Sequence, residues 1–376
     1  MKNKKINLSY PEFTTGDFLA LNKTLHSINK KPEQVGTIIE NFEKELASLY
    51  GVAHAVALSS GTAAIHLGLK ALNIKQGDKV IIPSLTFAAT AFPVMYMGAI
   101  PIFIDVNEHT WNLDLDLLEN NLKECKKSEL PKLIICVDLF GKMCDYERLI
   151  EISNKYEVPV MIDSAESLGS KYKKFNPVSK VPISIVSFNF NKILTTLGGG
   201  VLLTNDKKIE SIVRKLSNQA RENFHWYEHN EVGFNYRMNY LQAALGVSQL
   251  KRLDKSIKSR RGIRELYFKN LAGIKGIKII QDSNWEISNS WLTLIQFEKP
   301  LYPNGRDNAY NLLSQNNIES RFIWKPLHLQ SVFKEYRSIL TGVSEEIFNT
   351  SLCLPSSNFL TKADIDNICD LIKKSL

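Results

Sequence analysis

Residues 53–72 read AHAVALSSGTAAIHLGLKAL. The run Ala53–Leu58 is largely apolar and predicts a strand, and Gly61–Leu72 repeats its apolar residues at helical spacing. A strand apolar along its length has both faces covered, so strand followed by helix points to a sheet held between helical layers. Ser59, Ser60, Gly61 and Thr62 open the helix. A glycine and hydroxyls at a helix start offer backbone N–H groups and the positive end of the dipole, which suits a phosphate. Taken alone, the same residues also make an ordinary helix cap.

Outward from this stretch the pattern repeats. Strands are predicted at Lys79–Ile82, Ile100–Ile104, Leu133–Val137, Val158–Ile162, Ile183–Phe188 and Val201–Thr204, with helices at Thr86–Met97, Leu115–Cys125 and Tyr146–Tyr156. The alternation predicts an α/β fold with a mostly parallel central sheet, whose ligands bind at the carboxyl ends of the strands. After Asn239, LQAALGVSQLKRLDKSIKSRRGIRELYFKNL predicts one long helix leading to a second domain. Strands at Ile277–Ile280 and Trp291–Phe297, with helices at Asp307–Gln315 and Ala363–Lys374, make that domain α+β. The large domain is expected over residues 1–245. It includes helical segments at Asp17–Ile28 and Gln34–Leu49, split by NKKPEQ. The smaller domain is expected over 246–376.

The totals are those of a soluble globular protein rather than a membrane or nucleic-acid-binding one. Of 376 residues, 44% are hydrophobic and 23% charged, which leaves enough apolar material for a large core. The start, MKNKKINLSY, is basic but has no apolar signal core behind it, and no window is apolar enough to span a bilayer, so a cytoplasmic location is expected. The net charge of +8 suits an anionic ligand, but the lysines are spread in small groups among acids, unlike a nucleic-acid stripe. Cys125, Cys136, Cys144, Cys353 and Cys369 are odd in number and widely spaced, which predicts reduced, mostly buried thiols and no metal site.

The other strand exits carry the chemistry. Phe87 follows Pro83 and can stack on a flat ring or pack in the core. Asp163 directly follows an apolar run, so its carboxylate needs a positive partner or hydrogen-bond donors. The stretch SFNFNKILTTLGGG, Ser187–Gly200, sets Lys192 between a strand and three glycines, with neutral neighbours. A lysine that acts as nucleophile or base needs a lowered pKa, and burial with few anions nearby supplies one. Phosphate cup, aromatic face, buried carboxylate and enclosed lysine are together the parts that hold pyridoxal phosphate (PLP).

The sequence resembles the DegT/DnrJ/EryC1/StrS family of PLP-dependent sugar aminotransferases over nearly its whole length. The segments that carry the resemblance include SSGTAAIHLGLKAL, GDKVIIPSLTFAAT, VDLFGKMCDYERL, IDSAESLGSKY, SFNFNKILTTLGGGVLLT, GFNYRMNYLQAALGVSQL and SRFIWKPLH. The resemblance implies the PLP-dependent transferase fold of type I. It makes Lys192 the lysine bonded to the cofactor aldehyde and Asp163 the partner of the ring nitrogen. Phe87 would stack on the ring, Gly61, Thr62 and Ser187 would hold the phosphate, and Glu166 would lie against the ring near its hydroxyl. Glu166 and Asn189 stand where much of the family has Gln and His. With AESLGS, QARENFHWYEH and WKPLH, they resemble the bacillosamine-type branch, which acts on UDP-linked 4-keto-6-deoxy-N-acetylhexosamines. Asn235 would reach the phosphate of a neighbouring subunit, which implies a homodimer with shared active sites.

These readings predict amino transfer from L-glutamate to the 4-keto carbon of a nucleotide-linked sugar. Arg321, Trp324, Lys325 and His328 are the candidates for holding the sugar nucleotide. A 3-keto sugar, or one linked to dTDP or GDP, is the alternative. A PLP-dependent sugar dehydratase would have His in place of Lys192, and a nicotinamide-dependent reductase would need GxGxxG where SSGTAA stands. Two departures from the family pattern bear on the sugar. Leu197 replaces a small or acidic residue and is expected either to narrow the pocket or to shift the turn, and the N-terminal segment lacks the usual SGW-like and GP elements.

Overall fold

The computed structural model describes residues 5–31 and 36–376. Two helices, α1 (Thr15–Lys30) and α2 (Gly36–Tyr50), precede the sheet. The expected split between them at NKKPEQ, and the expected start at Gln34, fall partly outside the described residues. The alternating region follows the predicted order: β1 (His54–Leu58), α3 (Gly61–Ala71), β2 (Lys79–Pro83), α4 (Phe92–Tyr96), β3 (Ile100–Ile104), α5 (Leu115–Glu124) and β4 (Leu133–Val137). Then come α6 (Tyr146–Tyr156), β5 (Val160–Asp163), β6 (Lys171–Tyr172), β7 (Ile183–Ser187), β8 (Gly200–Thr204) and α7 (Lys207–Ser217). Side chains of Ser60, Asp114, Asp145 and Asp206 accept first-turn N–H groups and so fix where α3, α5, α6 and α7 begin.

The C-terminal part contains α8 (Tyr240–Leu250), α9 (Leu253–Leu271), β9 (Ile277–Ile279), β10 (Glu286–Ile287), β11 (Thr293–Phe297), α10 (Gly305–Gln315) and β12 (Arg321–Phe322). It ends with β13 (Ser338–Ile339), α11 (Val343–Thr350), β14 (Ser351–Leu354) and α12 (Lys362–Lys374). Eight strands form one sheet in the order β1-β8-β7-β5-β4-β2-β3-β13. The pairs from β7 to β13 are parallel, and β8 is antiparallel to both β7 and β1. The fold is therefore α/β with a mostly parallel central sheet. The reversal of β8 matters for the site. Its first residue, Gly200, pairs with Leu58 on one side and Ser187 on the other, so the exits of β1 and β7 meet across a residue with no side chain.

Three expectations are corrected. The helix predicted over Thr86–Met97 is a turn at Ala88–Thr90 followed by the short α4, because Pro93 withholds an N–H inside it and the Thr90 hydroxyl is drawn to Asp163. The single helix expected after Asn239 breaks at Lys251–Arg252. There Arg252 is tied back to Asp17 and to the Glu12 carbonyl, so α8 packs on α1 and α2 while α9 leaves to pack on α12 and β9. Helices α7 and α11 and strands β6, β10, β12, β13 and β14 had no predicted counterpart. We propose a division of the chain at this break rather than at the expected 245/246, which lies inside α8. Two segments cross it: Ile6 packs into the core cluster of the antiparallel sheet β12-β14-β11-β9, and β13 returns to the edge of the large sheet beside β3.

Candidate active site

The carboxyl ends of β1, β5 and β7 open on a cavity of about 410 Å³. Its wall includes Gly61, Thr62, Phe87, Asp163, Glu166, Ser187, Asn189, Lys192, Arg321 and Trp324, so residues predicted from separate segments are brought together. At one end lies the start of α3. The Ser60 hydroxyl takes the Ala63 N–H (3.0 Å). A Cβ on Gly61 would come within 3.2 Å of the Ser187 Cβ, and one on Gly200 within 2.5 Å of the Gly61 nitrogen. Both positions need to be bare for helix start and serine to converge.

Asp163 ends β5 at 4% exposure. One carboxylate oxygen accepts from the Thr90 hydroxyl (2.8 Å) and the other from the Ala165 N–H (3.1 Å). Burial pushes its pKa up to about 6; the two hydrogen bonds and the charge of Lys192 oppose the rise, and the Glu166 charge adds to it. An ionised carboxylate here is poorly solvated and favours a cationic N–H partner.

Lys192 faces this carboxylate, but not in the anion-poor setting that its neighbours in sequence suggest. Its amine is 3.2 Å from Glu166 Oε1 and lies 4.0 Å from the centre of the Trp291 ring. The second Glu166 oxygen accepts the Phe140 N–H at 2.6 Å. Phe140 sits in left-handed backbone (φ 55°) on the turn after β4, which is what aims its N–H at Glu166. Asn289 fixes the loop after β5, which carries Glu166, by donating to the carbonyls of Glu166 and Leu168 at 2.8 and 3.0 Å. The carboxylate reaches the lysine because tertiary hydrogen bonds hold it there. Trp291 and Thr90 are site residues that the sequence reading missed. Thr90 lay close to Phe87, whereas nothing near Trp291 signals its contact with residue 192.

Phe87 is 56% exposed and presents its ring at the cavity, 5.4 Å from that of Trp324. Ser187 Oγ accepts the Asn189 N–H at 3.3 Å. Three candidates lie elsewhere. Asn235 is exposed on the segment that bridges to Asn218, outside this cavity. Lys325 is exposed, and His328 turns its ring toward Glu345, 3.2 Å away. Leu197 does not narrow the cavity as expected. Its backbone is left-handed (φ 65°) and its side chain stands 56% exposed, off the lining.

The donor set fits PLP. A helix start with two hydroxyls suits its phosphate, a buried carboxylate its ring nitrogen, and a neighbouring amine its aldehyde. All five cysteines are free. Among the described residues, no helix is long and apolar enough to cross a membrane, and no group of His, Cys, Asp or Glu is placed to hold a metal ion.

Comparison with known proteins gives concordant results. Residues 19–373 match the DegT/DnrJ/EryC1/StrS aminotransferase family. The chain is 38% identical over 375 residues to EpsN of Bacillus subtilis (strain 168), whose name places it among the pyridoxal phosphate-dependent aminotransferases; the match covers 98% of this chain and 95% of EpsN. It is 34% identical over 336 residues to a GDP-perosamine synthase of Caulobacter vibrioides, covering 89% of each chain. A crystal structure of a DegT DnrJ EryC1 StrS aminotransferase from Brucella abortus superposes with a TM-score of 0.85 at 30% identity, covering 95% of each chain.

Proposed function

The chain belongs to the DegT/DnrJ/EryC1/StrS aminotransferase family and is a PLP-dependent sugar aminotransferase, and from that premise we propose that it moves an amino group from L-glutamate to the 4-keto carbon of a UDP-linked 4-keto-6-deoxy sugar. The observation that carries the reading is the meeting of Lys192, Asp163 and the start of α3 on one cavity. When bound, PLP supplies an electrophilic aldehyde and a ring that takes up electron density from the reacting carbon. The chain's residues do the rest. The first turn of α3, with Thr62 and Ser187, would hold the phosphate, and the exposed ring of Phe87 would flank the cofactor ring. Asp163, costly to ionise where it stands, would keep the ring nitrogen protonated. Lys192 would take and return the proton at the reacting carbon, a general-base role that requires hydrogen-bond range. Glu166 holds that amine at 3.2 Å while it is not engaged. Arg321 and Trp324, on the cavity wall, would meet the sugar nucleotide. Lys325 and His328 would act only from outside this cavity.

The choice of UDP rests on the branch resemblance of SFNFNK, AESLGS and WKPLH. A GDP-linked sugar is the second reading, favoured by the similarity to a protein named for GDP-perosamine. Asn235 is exposed beside a loop that presents Phe224, Trp226, Tyr227 and Val232 to solvent, which supports a second copy covering this face and sharing the site. The deciding experiment incubates the enzyme with L-glutamate and a panel of UDP-, GDP- and dTDP-linked 4-keto sugars, following 2-oxoglutarate and the amino sugar by mass spectrometry. Fastest turnover on a UDP sugar is expected. Preference for GDP would move the proposal to the second reading, and turnover only on 3-keto sugars would overturn the 4-keto assignment.

A further inference from the structure

Arg260, on α9, is buried to 1% exposure and has no carboxylate partner among the described residues. Burial pushes its pKa down to about 10, so it still carries its charge near neutral pH. A buried charge without a counter-charge is expensive unless its donors are all directed to good acceptors. Its acceptors here are two, both reached by the terminal nitrogens, while the buried Nε–H has no partner among the described residues. Nη1 donates to the Trp291 carbonyl at 2.6 Å, and Nη1 and Nη2 both reach Ser9 Oγ at 3.2 Å. A guanidinium can only donate, so the Ser9 oxygen must accept, and its single proton is left for another group. That group is the Asn191 carbonyl, 2.8 Å away.

Trp291 ends on the same atom, donating its indole N–H to Asn191 O at 2.8 Å. Two routes from Arg260 thus converge on the carbonyl whose peptide bond leads into Lys192. One passes through a hydroxyl of the N-terminal segment, the other through the indole whose face lies 4.0 Å from the lysine amine. We propose that Arg260 is a positioning residue for the Lys192 amine, acting through Ser9 and Trp291. Three segments far apart in sequence thereby set where one amine points. A small displacement of a reacting group costs rate far more than it costs stability.

The inference rests on Lys192 being the amine that holds the cofactor, and the test separates the two claims. Ser9→Ala and Ser9→Thr are compared as holoenzymes, with Lys192→Ala as control. Readouts are visible circular dichroism per bound cofactor, kcat and KM measured separately, and thermal stability. Ser9→Ala, which removes the relay, should cut the dichroism by about half or more and lower kcat by about tenfold with little change in KM. Ser9→Thr keeps the hydroxyl and should restore both to within about twofold. Arg260→Met should resemble Ser9→Ala if it folds; if it does not, the serine pair decides. Unchanged dichroism and kcat in Ser9→Ala, with only a lower unfolding temperature, would make the cluster merely structural and overturn the proposal. A Lys192→Ala protein that keeps the visible band would overturn the assignment of Lys192 itself. If Lys192→Ala loses the band while Ser9→Ala behaves as wild type, only the positioning role fails.

Discussion

Replacing Asp163 by Asn should damage catalysis and stabilise the cofactor-free fold, in a pH window set by the carboxyl. In the folded chain burial pushes this group from its ordinary 3.8 up to about 6. A difference of about two pKa units corresponds to about 3 kcal/mol between its charged and neutral forms. The sign follows from proton uptake. Between about pH 4 and pH 6 the folded state holds a proton that the unfolded state has released, so stability falls as pH rises and reaches its lower plateau above about 6. Asn carries no charge and escapes that loss. It also fits the local bonds: its oxygen can accept from Ala165, and its amide can donate to Thr90, whose hydroxyl then turns to Thr86 3.0 Å away. The variant should match wild type near pH 4 and exceed it by about 1–3 kcal/mol near pH 8, in urea unfolding of cofactor-free protein. Turnover near neutral pH should fall by about 100-fold or more if, as proposed, this carboxylate is the counter-charge of the ring nitrogen. A variant that is less stable near pH 8, or whose advantage is the same at both pH values, would refute the reasoning.

Two further perturbations test the scaffold. Gly200→Ala would press a Cβ to 2.5 Å from the backbone of Ser60 and Gly61, whereas Gly61→Ala meets the Ser187 Cβ at 3.2 Å. Cofactor affinity, measured by fluorescence titration, should therefore fall by about tenfold in Gly61→Ala and by at least about 100-fold in Gly200→Ala, and the reverse order would contradict the cradle geometry. The Lys142–Glu286 pair joins the turn after β4 to β10, at 3.3 Å, with the side chains 4% and 0% exposed. Glu286→Leu strands the lysine and should cost about 3–5 kcal/mol in urea unfolding, while adding Lys142→Met should recover part of it; a double variant worse than the single would count against an unpaired buried charge as the cause.

What the sequence revealed and what it hid differ by the range of the interaction. Seven of the eight strands of the large sheet were legible because each is apolar over its own few residues, and the two-residue β13 was not. The helix start at one end of the cavity was legible because cap, glycine and dipole are local properties of Ser59–Thr62. Asp163 and Lys192 were legible as chemical oddities, a carboxylate and an amine among residues that do not solvate them. The surroundings of Lys192 were not. Glu166 reaches it only because Phe140, in left-handed backbone after a different strand, donates to its other oxygen, and Trp291 arrives from beyond the break between α8 and α9. The break in the helix after Asn239 was hidden for the same reason, since the partner that anchors Arg252 is Asp17, more than two hundred residues away.

The distribution of charge narrows what the cavity can accept more than its volume does. A simple polyanion would gain from the start of α3 and from Arg321, but would then meet the carboxylates of Asp163 and Glu166 beside Lys192. A simple cation would find the carboxylates but nothing to gain at the helix start. The arrangement favours a ligand that is anionic at one end and cationic at the other, across a flat body that can lie against Phe87. Pairing Asp163 with a cationic N–H offsets the desolvation that raises its pKa, and a phosphate takes the dipole of α3. Each complement sits on a different strand exit, so the sheet order that sets β8 and β7 between β1 and β5 fixes the distance between the start of α3 and Asp163 before any side chain moves. Lys192 lies on the same cavity with Glu166 3.2 Å from its amine, which is the contact that the proposed reaction would have to break.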